Sequence, residues 1–278
     1  MVSLTTDSLI TPEMVKEFHA LGYVIIKGLF SPGEVNTIRT FFDDLGSKAQ
    51  SIPGHWVLPE GVTTNDDPLK RYPRVMHPHR FNDMSKQMML HPRVRVVLRS
   101  LLEEEAVACQ SMFYFKPPGA RGQALHQDNF YLDVMPGTCI AAWTAIDAAR
   151  PENGGLYVVP NTNTLPIQCP EVADPSVSFT THLVNAPKGF KAVPVIMEPG
   201  DTLFFNGNVI HGSGPNRTAD QWRRSFICHY LPMSSKSLSK VYRPVLDFDG
   251  NVVEYEATGS GGPCGTAFKP SSYDKANF

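Results

Sequence analysis

The chain contains no long apolar run. No window of its 278 residues approaches the roughly 20 apolar residues needed to span a bilayer. Its first residues, Met1-Val2-Ser3-Leu4-Thr5-Thr6-Asp7, lack the charged start and apolar stretch of a secretory leader. Charge of one sign is also missing. The 25 Lys and Arg nearly balance 27 Asp and Glu, leaving a formal net charge of −2 with no basic block. That balance excludes the electrostatic footprint expected of a protein that binds nucleic acid or an anionic membrane surface. Cysteine is scarce: Cys109, Cys139, Cys169, Cys228 and Cys264 are five, an odd count, and none forms a C-x-x-C pair. Free buried thiols in a reducing compartment fit this better than a disulfide framework. The last residues, Lys275-Ala276-Asn277-Phe278, are not a peroxisomal address. We expect a cytoplasmic protein with no nucleic-acid or membrane partner, and nothing in the sequence specifies an oligomeric state.

What is present suffices for one large core. Hydrophobic residues make up 42% of the chain and aromatics 10%, so a single domain over 1–278 is expected. Its first part, about 1–105, reads as helix-rich. Thr11-Pro12-Glu13 is a helix start with Thr11 at the cap, and Gly22 suits the stop. Tyr23–Lys27 is short and β-branched, hence a strand. Ser31-Pro32-Gly33-Glu34 is a capping box opening a helix with Val35, Ile38, Phe42 and Leu45 on its apolar face. The stretch 50–90, rich in Pro, reads as loops and short strands. Pro92 starts a further helix carrying Val94, Val97, Leu98 and Leu101. Over about 106–232, short apolar runs alternate with turns: 109–115, 140–146, 156–159, 193–197, 201–205 and 225–230. Regular short strands predict a mainly β architecture, a double-stranded β-helix (jelly-roll, cupin-like) barrel with flanking helices. About 233–278 reads as a C-terminal extension, with the Gly-rich 259–278 a loop or lid.

The chemistry concentrates in His126-Gln127-Asp128 and a distant His211. Residues two apart on a strand share a face, so His126 and Asp128 can reach one ion while Gln127 points away. With His211 they make two imidazoles and one carboxylate, a facial set that leaves positions open and suits non-haem Fe(II). An H-x-D pair alone reads better as a core histidine beside an acid, so its surroundings decide. Twelve residues beyond His211 lies Arg223, opening a strand in which Arg223, Ser225 and Ile227 share one face. Its planar fork of donors can hold a dicarboxylate.

Longer motifs surround these residues: Gln110–Gly119, Leu125–Asp128, Ala142–Ala145, Glu152-Asn153-Gly154-Gly155 through Pro160, His211–Gly214 and Trp222-Arg223-Arg224, with Gly22-Tyr23-Val24 and Phe30–Val35 before them. In this order the chain resembles the phytanoyl-CoA dioxygenase (PhyH) or ectoine-hydroxylase-like family of Fe(II)- and 2-oxoglutarate-dependent oxygenases. The resemblance implies that His126, Asp128 and His211 ligate iron. It implies that Arg223 binds the distal carboxylate of 2-oxoglutarate with help from Ser213, and that Gln110, Lys116 and Trp143 line the cosubstrate pocket. O2 would complete the cofactor set, and 2-oxoglutarate would leave as succinate and CO2 as hydrogen is taken from substrate carbon. Relatives that transfer chlorine carry Gly or Ala in place of Asp128, so hydroxylation is favoured over halogenation.

Two departures stand out. Pro160-Asn161-Thr162-Asn163 replaces the family's usual Pro-Gly-Ser-His, and the interval after His211 is one residue longer than in some relatives, which leaves Arg223 and Arg224 both open as the cosubstrate arginine.

The expected activity is hydroxylation of an unactivated carbon in a small molecule. Alternatives are desaturation, cyclisation or C–heteroatom cleavage at the same site, or a jelly roll that binds metal or ligand without turnover. The basic, aromatic segment 70–81 reads either as a substrate loop or as an exposed loop, and its His77 and His79 lack a third partner for a second metal. Arg74, His79, Arg80, Tyr114, Phe130 and Tyr131 are the candidate substrate residues, suited to an apolar body with a polar or anionic group.

Overall fold

The computed structural model describes residues 9–63 and 66–258. Helices α1 (Pro12–Leu21) and α2 (Pro32–Lys48) flank strand β1 (Tyr23–Ile26). Then come α3 (Pro68–Arg71), β2 (Val75–Met76), α4 (Asp83–Met89) and α5 (Pro92–Leu102). The barrel region follows with β3 (Ala106–Tyr114), β4 (Gln123–His126), α6 (Asn129–Leu132), β5 (Ile140–Ala145) and β6 (Leu156–Val158). It continues through β7 (Glu171–Val172), β8 (His182–Leu183), β9 (Val193–Pro194), β10 (Thr202–Asn206), β11 (His211–Ser213) and β12 (Ser225–Pro232). Short strands β13 (Ser237–Ser239), β14 (Val245–Leu246), β15 (Val252–Val253) and β16 (Glu256–Thr258) end the described chain. The Gly-rich segment 259–278, expected to be a loop or lid, lies outside the described residues.

Local chemistry sets the helix ends as the sequence requires. The Met14 N–H donates to Thr11 Oγ1 at 3.3 Å, and Gly22 closes α1 in the left-handed region at φ 87°. In α2 the capping box forms in both directions: the Glu34 N–H donates to Ser31 Oγ at 3.3 Å, and the Ser31 N–H donates to Glu34 Oε2 at 2.7 Å. The run 193–197 shortens to the two-residue β9, because Pro194 removes a ladder donor.

Two antiparallel sheets make the jelly roll. The larger runs β1-β10-β5-β12-β3-β14-β15, with β2 pairing to β3, and the smaller runs β4-β11-β6-β9. Period-two alternation sorts each strand between two cores. One face of the large sheet, carrying Phe113, Ala142, Phe204 and Phe226, packs against Phe42 of α2 and Val97 and Leu98 of α5. Phe42 stacks on Phe113 with centroids 3.8 Å apart and planes within 8°. The other face, carrying Met112, Trp143, Phe205 and Ile227, meets Leu156 and Val158 of the small sheet. The site opens from this second core.

Segment 70–81 is not an exposed loop. Val75 and Met76 extend the large sheet beside β3, and His77 and His79 are buried. Helix α4 lies within 50–90, where loops and short strands were expected; Asn82 caps it through its side chain, which accepts from the Ser85 N–H at 2.8 Å. Cys109, Cys139 and Cys228 are free and buried as expected, whereas Cys169 is disulfide-bonded. No helix among the described residues is long and apolar enough to cross a membrane.

Candidate metal centre

His126 ends β4 and His211 begins β11, and the two are register partners across neighbouring strands. Their ring centroids lie 4.2 Å apart. Asp128 arrives differently from the sequence reading. Strand β4 stops at His126, and Asp128 has helical backbone (φ −64°, ψ −36°) as the cap of α6. A strand-to-helix turn, rather than alternation along one strand, brings the pair together. Gln127 points away and fastens the turn: its Nε2 donates to Asn208 O at 2.8 Å and its Oε1 accepts from the Gln168 N–H at 2.8 Å. His126 Nε2 lies 3.4 Å from Asp128 Oδ1, and His211 Nε2 lies 3.6 Å from Asp128 Oδ2. One donor atom from each of the three lies within 4.8 Å of the others, and no other group of His, Cys, Asp or Glu among the described residues is so arranged.

The protonation states suit a metal. His126 Nδ1 faces Ala124 O at 2.9 Å and His211 Nδ1 faces Val209 O at 3.0 Å. Carbonyls only accept, so both Nδ1 atoms carry the proton and both Nε2 lone pairs face the site. Burial lowers the His211 pKa to about 4, so this imidazole is neutral at ordinary pH. Burial works to raise the Asp128 carboxyl, but the neighbouring His211 and His229 and the hydrogen bond from His229 outweigh it and hold the carboxyl well below its usual range. A neutral His211 imidazole and an ionised Asp128 carboxylate are forms that bind a divalent cation without first losing protons.

Behind the triad, a cavity with about 100 Å³ of free space reaches Arg223. Strand β12 begins at Ser225, so Arg223 sits just before it. Its Nε donates to Gly154 O at 3.1 Å, its Nη1 donates to Ser225 Oγ at 2.8 Å, and its guanidinium lies 5.3 Å from the Trp143 ring centroid. Arg223 is 3% exposed and forms no ion pair with a described residue. Burial lowers its pKa only to about 10, so it remains a cation. Arg224 turns outward to Asp147 and Asp43, bonding Asp147 Oδ2 through Nε at 2.7 Å. Of the two arginines, only Arg223 faces the cavity.

Gln110, Trp143 and Ser213 line this cavity, as do Arg74, Tyr114 and Tyr131. Lys116 lies behind the wall, its Nζ donating to Ser213 Oγ at 2.8 Å, Gly214 O at 2.6 Å and Gly154 O at 3.1 Å. Three of the proposed substrate residues lie off the cavity. His79 binds Ser111 Oγ through Nδ1 at 2.7 Å, Arg80 donates to Arg243 O at 2.9 Å, and Phe130 packs edge-on to Tyr131.

Sequence reasoning missed three wall residues. His182 stacks on Tyr131 with centroids 5.8 Å apart, and no motif surrounds it. Gln123 donates to His126 Nε2 at 3.0 Å. His229 continues the alternation of Arg223, Ser225 and Ile227, which was the signal that could have found it.

The model of the phytanoyl-CoA dioxygenase (PhyH) family matches residues 18–225, three-quarters of the chain. The chain belongs to this family. A Caenorhabditis elegans protein described as a probable phytanoyl-CoA dioxygenase is 28% identical over 240 residues, covering 80% of this chain and 76% of that protein. The peroxisomal phytanoyl-CoA dioxygenase of Rattus norvegicus is 26% identical over 243 residues, covering 84% and 72%. The fold is shared with EctD from S. alaskensis, solved with 2-oxoglutarate and 5-hydroxyectoine, at TM-score 0.64 and 20% identity over 85% of this chain and 80% of that one. It is also shared with the non-haem α-ketoglutarate-dependent carbocyclase SnoK of nogalamycin biosynthesis, at TM-score 0.65 and 20% identity over 84% and 88%. The donor set His126, Asp128 and His211 fits Fe(II), and the buried Arg223, which forms no ion pair among the described residues, fits a dicarboxylate cosubstrate.

Proposed function

We propose that the protein is an Fe(II)- and 2-oxoglutarate-dependent dioxygenase that hydroxylates an unactivated carbon of a small molecule, releasing succinate and CO2. One observation carries this reading: Arg223, a buried cation with no counter-ion among the described residues, shares one cavity with the His/Asp/His set. An unpaired buried charge is costly, and an anionic ligand relieves that cost. A barrel that only stored metal would not need it.

His126, Asp128 and His211 would hold the iron from one side. When bound, iron with 2-oxoglutarate supplies the oxidising power for C–H cleavage. Arg223 orients the cosubstrate by its far carboxylate, with Ser213 beside it and Trp143 covering the guanidinium face. Met112, Leu156, Phe205 and Ile227 wall the cavity against water. On the substrate side, Tyr131 Oη lies 3.2 Å from His182 Nδ1, and Arg74 Nη1 donates to Tyr114 Oη at 3.3 Å. This wall supports a substrate with an apolar body and a polar or anionic group. A screen in which only neutral hydrocarbons turn over would count against it.

The test is anaerobic addition of Fe(II), then 2-oxoglutarate, to metal-free protein while watching for the visible metal-to-ligand charge-transfer band. The band is expected in the wild type, absent in His126→Ala, and to need far more 2-oxoglutarate in Arg223→Ala. Iron bound with no band at any concentration would overturn the cosubstrate assignment. Succinate release without a hydroxylated product would overturn the reaction type.

A further inference from the structure

Asp128 has a partner outside the ligand set. His229, on β12, places Nε2 2.9 Å from Asp128 Oδ2. A carboxylate only accepts, so this nitrogen carries the proton. His229 is 2% exposed, and its Nδ1 meets no hydrogen-bond partner among the described residues. A buried imidazole that leaves one nitrogen unsatisfied sacrifices stability, and the one bond it does make goes to the site's single carboxylate. Its strand fixes it well: His229 pairs with Gln110 of β3 on one side and Ala141 of β5 on the other. Asp128 stands on a four-residue helical turn with no side-chain cap bond, so its backbone alone does not fix the direction of the carboxylate.

We propose that His229 is a positioning residue that ties down Oδ2 of Asp128, so that the carboxylate presents Oδ1 to the metal and binds it through one oxygen. A carboxylate that swung round to chelate with both oxygens would use a position that cosubstrate or O2 needs. Donors that fix ligand orientation in this way are worth about 10- to 100-fold in metal affinity. This inference rests on the ligand assignment above.

Three variants at one position test it. His229→Gln carries an amide N–H at the reach of Nε2, His229→Asn carries the same amide one methylene short, and His229→Leu carries none. The readout is Fe(II) affinity of the full chain, by anaerobic competition with a chromophoric chelator, on protein whose folding is checked by circular dichroism. Affinity is expected to fall about 10- to 100-fold in Asn and Leu and to recover to within a few-fold in Gln. The 2-oxoglutarate affinity at saturating iron, read from the charge-transfer band, should show the same ranking, because a chelating Asp128 competes for a coordination position. Equal iron affinity in Gln and Asn would overturn the role of His229, since a merely structural role treats the two amides alike. That comparison stands even where Leu does not fold. Wild-type protein that fails to bind iron would overturn the ligand assignment itself, and with it this inference.

Discussion

Lys116 Nζ and Arg223 Nε donate to one carbonyl, that of Gly154, each at 3.1 Å. Gly154 accepts them at φ 81°, and a Cβ there would lie 2.8 Å from Gly214 O and 2.9 Å from Lys116 Cδ. The Asn153-Gly154-Gly155 motif is thereby explained as the anchor of both basic side chains. Lys116 spends its donors on protein acceptors, so it braces the wall, while Arg223 Nη2 makes no hydrogen bond with a described residue. Arg223→Lys keeps the charge but loses the fork, removing a charge-assisted hydrogen bond of about 1.5–3 kcal/mol. The 2-oxoglutarate requirement should rise about 10- to 100-fold with Fe(II) affinity unchanged. Lys116→Met should instead lower folding stability by about 1–3 kcal/mol, because it strands buried acceptors. Urea unfolding checks the second expectation; an unchanged midpoint would show that Lys116 is no brace.

Gln123 competes with the metal. Its amide donates to His126 Nε2 at 3.0 Å, the lone pair that a cation must take. Gln123→Leu removes a hydrogen bond worth about 1 kcal/mol from the metal-free state. Fe(II) should bind several-fold more tightly, measured by the same chelator competition. Weaker binding would mean the amide supports the loaded site instead.

Helix caps, apolar faces and strand alternation are local chemistry, and they were legible: Thr11, Gly22, the Ser31–Glu34 box and the faces of α2 and α5 needed no structure. The candidate ligands that the fold brings together, His126, Asp128 and His211, were legible as residue types, but not the way Asp128 arrives, because nothing in Gln127-Asp128-Asn129 announces that the strand stops at His126. Segment 70–81 was open between a substrate loop and an exposed loop for the converse reason. Its cations suggest exposure, yet Val75 and Met76 pair with β3, and His77 and His79 just after them are buried, while Arg74 lines the cavity. The departure at Asn161 is accounted for in the structure. Asn161 takes φ 62°, a left-handed conformation that Asn tolerates better than most residues after Gly. Thr162 Oγ1 accepts from the Ile210 N–H at 2.9 Å, one residue before His211. That turn positions the strand that carries His211.

The outer core should fail independently of the site. Phe42 and Phe113 are fully buried and stacked, on the face of the large sheet away from the cavity. Phe42→Ala should cost about 3–5 kcal/mol. The double variant with Phe113→Ala should cost less than the sum of the singles, because the rings share one contact. At temperatures where Phe42→Ala remains folded, its Fe(II) affinity should match the wild type. A lost charge-transfer band in folded variant protein would show that the two cores are coupled.

Glu34 ties the start of α2 to the start of α5. It takes the Ser31 N–H and hydroxyl, pairs with Arg93, and meets His91 Nε2 at 3.0 Å. Partial burial works to raise its carboxyl, but these donors outweigh it and lower the pKa from 4.5 to about 2. The folded pKa is depressed, so the stabilisation is fully present above pH 4.5 and is lost as pH falls toward 2. Glu34→Gln keeps a side chain that can complete the capping box and removes the charge. With the group a quarter exposed, solvent screening limits the cost at pH 7 to about 1 kcal/mol. Urea unfolding of wild type and variant from pH 7 to 3 should show that difference shrinking only below about pH 4.5. A difference that is constant across the range would mean the variant acts through packing, and one that grows in acid would reverse the sign of the argument.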